Sequence, residues 1–191
     1  MEYDFYENTN DICLIFIHGL GCLNSQFINQ VTYFKDTYNI INVKLPGHDT
    51  PYSQKYDIIS ICEMMYDTFY NMDYKFVIIG HSAAVRISLQ LYSIMSEKII
   101  GLCLIDCSYS KIYNMDLIKT KDDLYSKNYH EWIHEFYNIR LENSKHQYIK
   151  NVVFNDLRKC NKEAVRYLYL SIEYFDYMCL ENLIKTICVP T

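Results

Sequence analysis

Between residues 12 and 105, short apolar runs alternate with stretches of helical period, and this alternation restricts the chain to few architectures. The runs are ICLIFI at 12–17, NIINVKL at 39–45, KFVII at 75–79 and IIGLCLI at 99–105. Near-continuous apolar runs of this length read as strands buried on both faces, the signature of parallel pairing. Between them, Phe27, Ile28, Val31 and Phe34 give helical spacing over 25–35, with Ser25 expected as its cap. The same spacing covers 56–71 through Ile58, Ile61, Cys62, Met65 and Phe69, and 83–95 through Val85, Leu89, Tyr92 and Ile94 or Met95. Strand–helix alternation builds a mostly parallel sheet flanked by helices, so the expected class is α/β.

The chain then changes character. Residues 109–186 contain neither glycine nor proline. They predict helices over 121–141, 145–160, 162–178 and 180–186. The third begins well, with Asn161 as cap and Glu163 in the first turn. Ile187–Thr191 reads as the opening of another strand. The expected division is a core over 1–108, a helical insertion over 109–186, and the start of the next core strand at 187–191.

Composition narrows the function. Half of the 191 residues are apolar and 21% are charged, which argues against disorder. The net charge of -5, with no cluster of lysine and arginine, leaves no electrostatic footprint for nucleic acid. No apolar stretch reaches the ~20 residues of a membrane span, and the N-terminal residues do not read as a signal peptide. The eight cysteines form no C-x-x-C pair and sit mostly in apolar runs. A reduced, cytoplasmic setting is therefore expected.

The chemistry concentrates at Gly80-His81-Ser82-Ala83-Ala84, between a buried strand and a helix. A tight strand-to-helix turn lifts a serine hydroxyl out of the sheet, and small residues two before and two after it let the backbones pass. Ala84 stands where such elbows prefer glycine. His18-Gly19-Leu20-Gly21 follows the first run, and Leu45-Pro46-Gly47-His48-Asp49 follows the second. In a parallel sheet these loops meet at one rim, where ligands bind.

HGLG, LPGH, GHSAA and LCLIDCS stand in the order and spacing of the α/β-hydrolase family, and the chain resembles its small esterases with a helical lid. The resemblance covers essentially the whole chain and makes 109–186 the lid. It implies Ser82 as nucleophile, with the backbone N–H groups of Leu20 and Ala83 as the oxyanion hole. His18, Gly19 and His81 would lie against the substrate, a small and partly apolar ester or related acyl compound. No cofactor or metal is implied. The family's acid and histidine would follow Thr191, in roughly 60–80 further residues at two strand–helix units. Without them the serine lacks its base, so the 191 residues alone are expected to be poorly active, and an inactive hydrolase fold or binding module is the alternative.

Asp106, at the end of the fourth run, is a secondary candidate for the acid. His18 and His48 read mainly as loop-ordering residues, and His81 as structural. His130-Glu131-Trp132-Ile133-His134 spells H-E-x-x-H on a predicted helix, which leaves a zinc hydrolase as a remote alternative. Against it, Glu135 is charged where zinc enzymes of this type carry an uncharged residue, and no third ligand follows. Trp132 and Phe136 facing inward from an amphipathic helix is the simpler reading. Tyr167, Tyr169, Tyr174 and Tyr177 are candidates for an apolar pocket wall or for helix core.

Overall fold

The structure, a computed structural model, describes residues 1–107, 115–128, 131–132, 147–176 and 180–191. Five strands form one sheet: β1 (Glu2–Tyr6), β2 (Ile12–Ile17), β3 (Asn39–Lys44), β4 (Lys75–His81) and β5 (Ile99–Ile105), in the order β1-β3-β2-β4-β5. β2 pairs in parallel with β3 and β4, and β4 in parallel with β5. The apolar runs thus form the parallel strands as their composition dictates. β1 is an addition. It pairs antiparallel with β3, Glu2 opposite Lys44 and Tyr6 opposite Ile40, and closes that edge of the sheet.

Helix α1 (Ile28–Phe34) follows a 3-10 turn at Asn24–Phe27. Ser25 does not cap it: the residue before the turn is Leu23, and no side chain caps either segment. Phe27 and Val31 pack with Phe16 and Ile40 on one face of the sheet. Helix α2 (Ile58–Phe69) opens on a reciprocal cap, in which Asp57 Oδ1 accepts from Ser60 N–H and Ser60 Oγ from Asp57 N–H. Helix α3 (Ala84–Met95) is buried along almost its whole length, Arg86 and Ser88 included, with Ile94 turned outward and Met95 inward. These two helices share the larger core on the other face with Ile15, Ile41, Phe76 and Ile78.

Helices α4 (Met115–Lys127), α5 (Gln147–Lys159), α6 (Lys162–Phe175) and the short α7 (Glu181–Ile184) follow. Asn161 caps α6 as expected, its side chain accepting from the N–H groups of Glu163 and Ala164. Arg166 on α6 holds Asp122 on α4 through two hydrogen bonds of 2.7 and 3.0 Å. Tyr125, Trp132 and Tyr169 stack edge to face, with ring centroids 4.6 and 5.3 Å apart. Trp132 and Tyr169 are therefore helix core, whereas Tyr174 is exposed. Phe136 and Tyr177 lie outside the described residues.

The α5–α6 junction sits on the loop after β3. Asn161 N–H donates to Gly47 O, and a side chain at Gly47 would run into Ala164. The segment 187–191 forms no strand, but Pro190 O accepts from Leu102 N–H at 3.0 Å, so it lies along the open side of β5.

Candidate active site

Parallel strands deliver their carboxyl ends to one rim, and four loops meet there. Ser82 caps β4 with φ of 55°, a left-handed conformation that a side chain rarely adopts. The turn is held from both sides: Ser82 N–H donates to Ile105 O at the end of β5, and Ser82 O accepts from Val85 N–H. Gly80 makes room for the returning helix, since a Cβ there would lie 2.3 Å from Ser88 Oγ and 2.8 Å from Ala84 O. Ser82 is half-buried, while Ala83 beneath it is buried. α3 begins two residues after Ser82 with no side-chain cap, so its positive dipole end lies beside the serine.

The loop after β2 faces this elbow. His18 is fully buried, its Nδ1 donating to Gly19 O at 3.0 Å while Nε2 accepts from Leu45 N–H at 3.2 Å. Gly19 O also accepts from Cys22 N–H. In a trans peptide the N–H points opposite the C=O. Two donors on the Gly19 carbonyl therefore fix the direction of Leu20 N–H. His18 orders the loop, and both its nitrogens are used within the protein.

His48 is likewise buried, with Nδ1 donating to Pro46 O and Nε2 without a partner among the described residues. The His18 and His48 rings lie 5.3 Å apart. Burial holds the pKa of His18 down at about 3 and that of His48 at about 4. Both are neutral at physiological pH.

His81 is half-buried. Burial lowers its pKa, and the charge of Asp106 partly offsets this. Asp106 is exposed at the end of β5, with φ of 52°. Among the described residues, no histidine hydrogen-bonds the Ser82 hydroxyl. His130 and His134 lie outside the described residues, and no group of three metal-ligating side chains occurs among those described.

Three residues at this site were not singled out from sequence. Gln26 lies between the loop after β2 and the elbow. Arg86, four residues after Ser82, is buried and forms a two-point ion pair with Asp176 at the end of α6, at 2.8 and 2.6 Å. Arg86 Nη1 also reaches Ser82 O at 3.4 Å and Cys107 Sγ at 3.0 Å. A charged residue inside the apolar run VRISLQLY was the available signal for Arg86. For Gln26 there was none.

Solved structures share this architecture. An esterase, EaEST, from Exiguobacterium antarcticum superposes with a TM-score of 0.80 at 14% identity, covering 98% of this chain and 73% of its own. A hydrolase from Oleispira antarctica gives 0.79 at 14% over the same shares. The chain has the α/β-hydrolase fold. MenH from S. aureus aligns with a TM-score of 0.79 at 19% identity, over 99% of this chain and 77% of that one. No family model matches the chain, and no curated protein matches its sequence. Among the described residues, no helix is long and apolar enough to cross a membrane.

Proposed function

We propose that this chain carries the nucleophile half of a serine acyl hydrolase acting on a small ester or related acyl compound. The observation that carries the reading is the left-handed Ser82 at the strand–helix turn. That strain costs stability and has a use in presenting a hydroxyl (backbone strain of this kind gathers at functional sites). Ser82 Oγ attacks the acyl carbon, and the N–H groups of Leu20 and Ala83 receive the charge on the carbonyl oxygen. His81 and Gly19 line the approach. Helices α4–α6 act as the lid over an apolar substrate. A general base takes the Ser82 proton, a role that no described histidine fills by a hydrogen bond to the hydroxyl, and Asp106 is held in reserve as an acid to orient it. The chain spans 73–77% of the solved structures named above.

A second reading, a hydrolase fold that binds without turnover, is favoured by the lack of a described histidine on Ser82. A fluorophosphonate probe tests both. Labelling of the wild type but not of Ser82→Ala supports the nucleophile, and equal labelling of the two rejects it.

A further inference from the structure

One side chain joins the two halves of this site. Gln26 Oε1 accepts from Gly19 N–H at 3.0 Å, and Gln26 Nε2 lies 2.9 Å from His81 Nδ1. The polarity of this bridge follows from chemistry. A backbone N–H can only donate, so the amide oxygen must face Gly19 and the NH2 must face His81. His81 Nδ1 is then an acceptor, and the ring proton sits on Nε2. Contact is close as well as polar, because a Cβ on Gly19 would come within 2.7 Å of His81 Nδ1.

Gln26 is itself held firmly. The 3-10 turn that carries it is anchored by Phe27, whose ring packs 5.1 Å from that of Phe16 on β2. Asn24 in the same turn donates to Asp4 Oδ2 on β1 and accepts, through its carbonyl, from Asn42 on β3. The bridge therefore rests on three strands of the sheet.

We propose that Gln26 is a positioning residue that clamps the Gly19–Leu20 loop to the His81–Ser82 elbow, fixing the separation of the two oxyanion-binding N–H groups. This rests on the reading of Ser82 as nucleophile. His18 sets the direction of Leu20 N–H from within, and Gln26 sets the distance of its loop from Ala83. Transition-state stabilisation by paired donors depends on that distance, and a displacement of 1 Å can cost about a hundredfold in rate.

The test uses Gln26→Leu and Gln26→Glu, read by imidazole 15N shifts of His81, hydrogen exchange at Gly19 N–H, and the rate of fluorophosphonate labelling at Ser82. In the wild type, His81 is expected as the Nε2–H tautomer. Gln26→Leu is expected to remove that bias, expose the Gly19 amide to exchange and slow labelling by about tenfold or more. Gln26→Glu keeps an acceptor for Gly19 but has no proton for His81 Nδ1. Gly19 should stay protected while the His81 proton moves to Nδ1. A wild-type His81 protonated on Nδ1, or a Gln26→Leu protein with unchanged tautomer, exchange and labelling, overturns the proposal. If wild type and Ser82→Ala label alike, the serine reading fails, and the tautomer and the Gly19 exchange still decide whether Gln26 is the clamp. If Gln26→Leu does not fold, the wild-type tautomer and the Gln26→Glu shift decide it.

Discussion

Ser82 is bent into a conformation that its side chain opposes. For an L-residue the left-handed region costs roughly 1–2 kcal/mol, which glycine avoids and which asparagine and aspartate bear more readily than serine. Ser82→Gly is therefore expected to be more stable than Ser82→Ala by about 1 kcal/mol in urea unfolding, and both to lose probe labelling. Equal stabilities would mean that the turn is not strained. The spacing of Gly80, Ser82 and Ala84 was legible from sequence because an elbow imposes local size limits on consecutive residues. Gln26 was not, because its partners are 7 and 55 residues away and only the fold brings them to it. Nor did the sequence announce the positive φ at Asp49 and Asp106, a conformation that aspartate adopts more readily than most residues.

Parallel strands and long helices were the readable elements, since two-sided burial demands unbroken apolar runs and one-sided burial demands helical period. β1 escaped notice because EYDFY is an edge strand: two of its five residues are charged, and it is held by contacts distant in sequence, pairing with β3 and packing Tyr3 edge-on against Phe69. α4 begins at Met115 rather than 121, in a stretch whose apolar spacing is sparse. The link between α3 and α6 was invisible for a similar reason, as Arg86 and Asp176 are 90 residues apart. Their side chains are 7% and 15% exposed, so neither charge can fall back on water. Burial alone would lower the pKa of Arg86, but Asp176 more than offsets this. Breaking such a pair from one side leaves a buried charge, at about 3–5 kcal/mol. Asp176→Ala is expected to destabilise by about 3 kcal/mol, and Arg86→Met with Asp176→Leu together by clearly less. Equal losses in the single and double variants would show that packing, not charge, joins these helices.

At the scale of the molecule, the two histidines buried under the rim make stability depend on pH. Both are neutral in the fold, with pKa values held by burial at about 3 for His18 and about 4 for His48. In the unfolded chain each titrates near 6.5. Above that value neither state takes up the proton, and the histidines add no pH dependence. Below it the unfolded chain binds two protons that the fold refuses, so stability falls as pH drops from 6.5 towards 4. At pH 5 the loss is about 2 kcal/mol per histidine, or roughly 4 kcal/mol for the pair, a large part of the 5–15 kcal/mol that typically holds a domain together. Carboxylates titrate mainly below this window, so the slope between pH 6.5 and 5 belongs chiefly to histidine. Urea midpoints across that range should fall steeply in the wild type. In His48→Asn, which keeps a donor for Pro46 O, the slope should be reduced by about one proton, because His18 continues to titrate. A wild-type midpoint that stays level from pH 6.5 to 5 would mean that these rings are reached by water. The order His18 gives to Leu20 N–H would then have to come from the backbone alone.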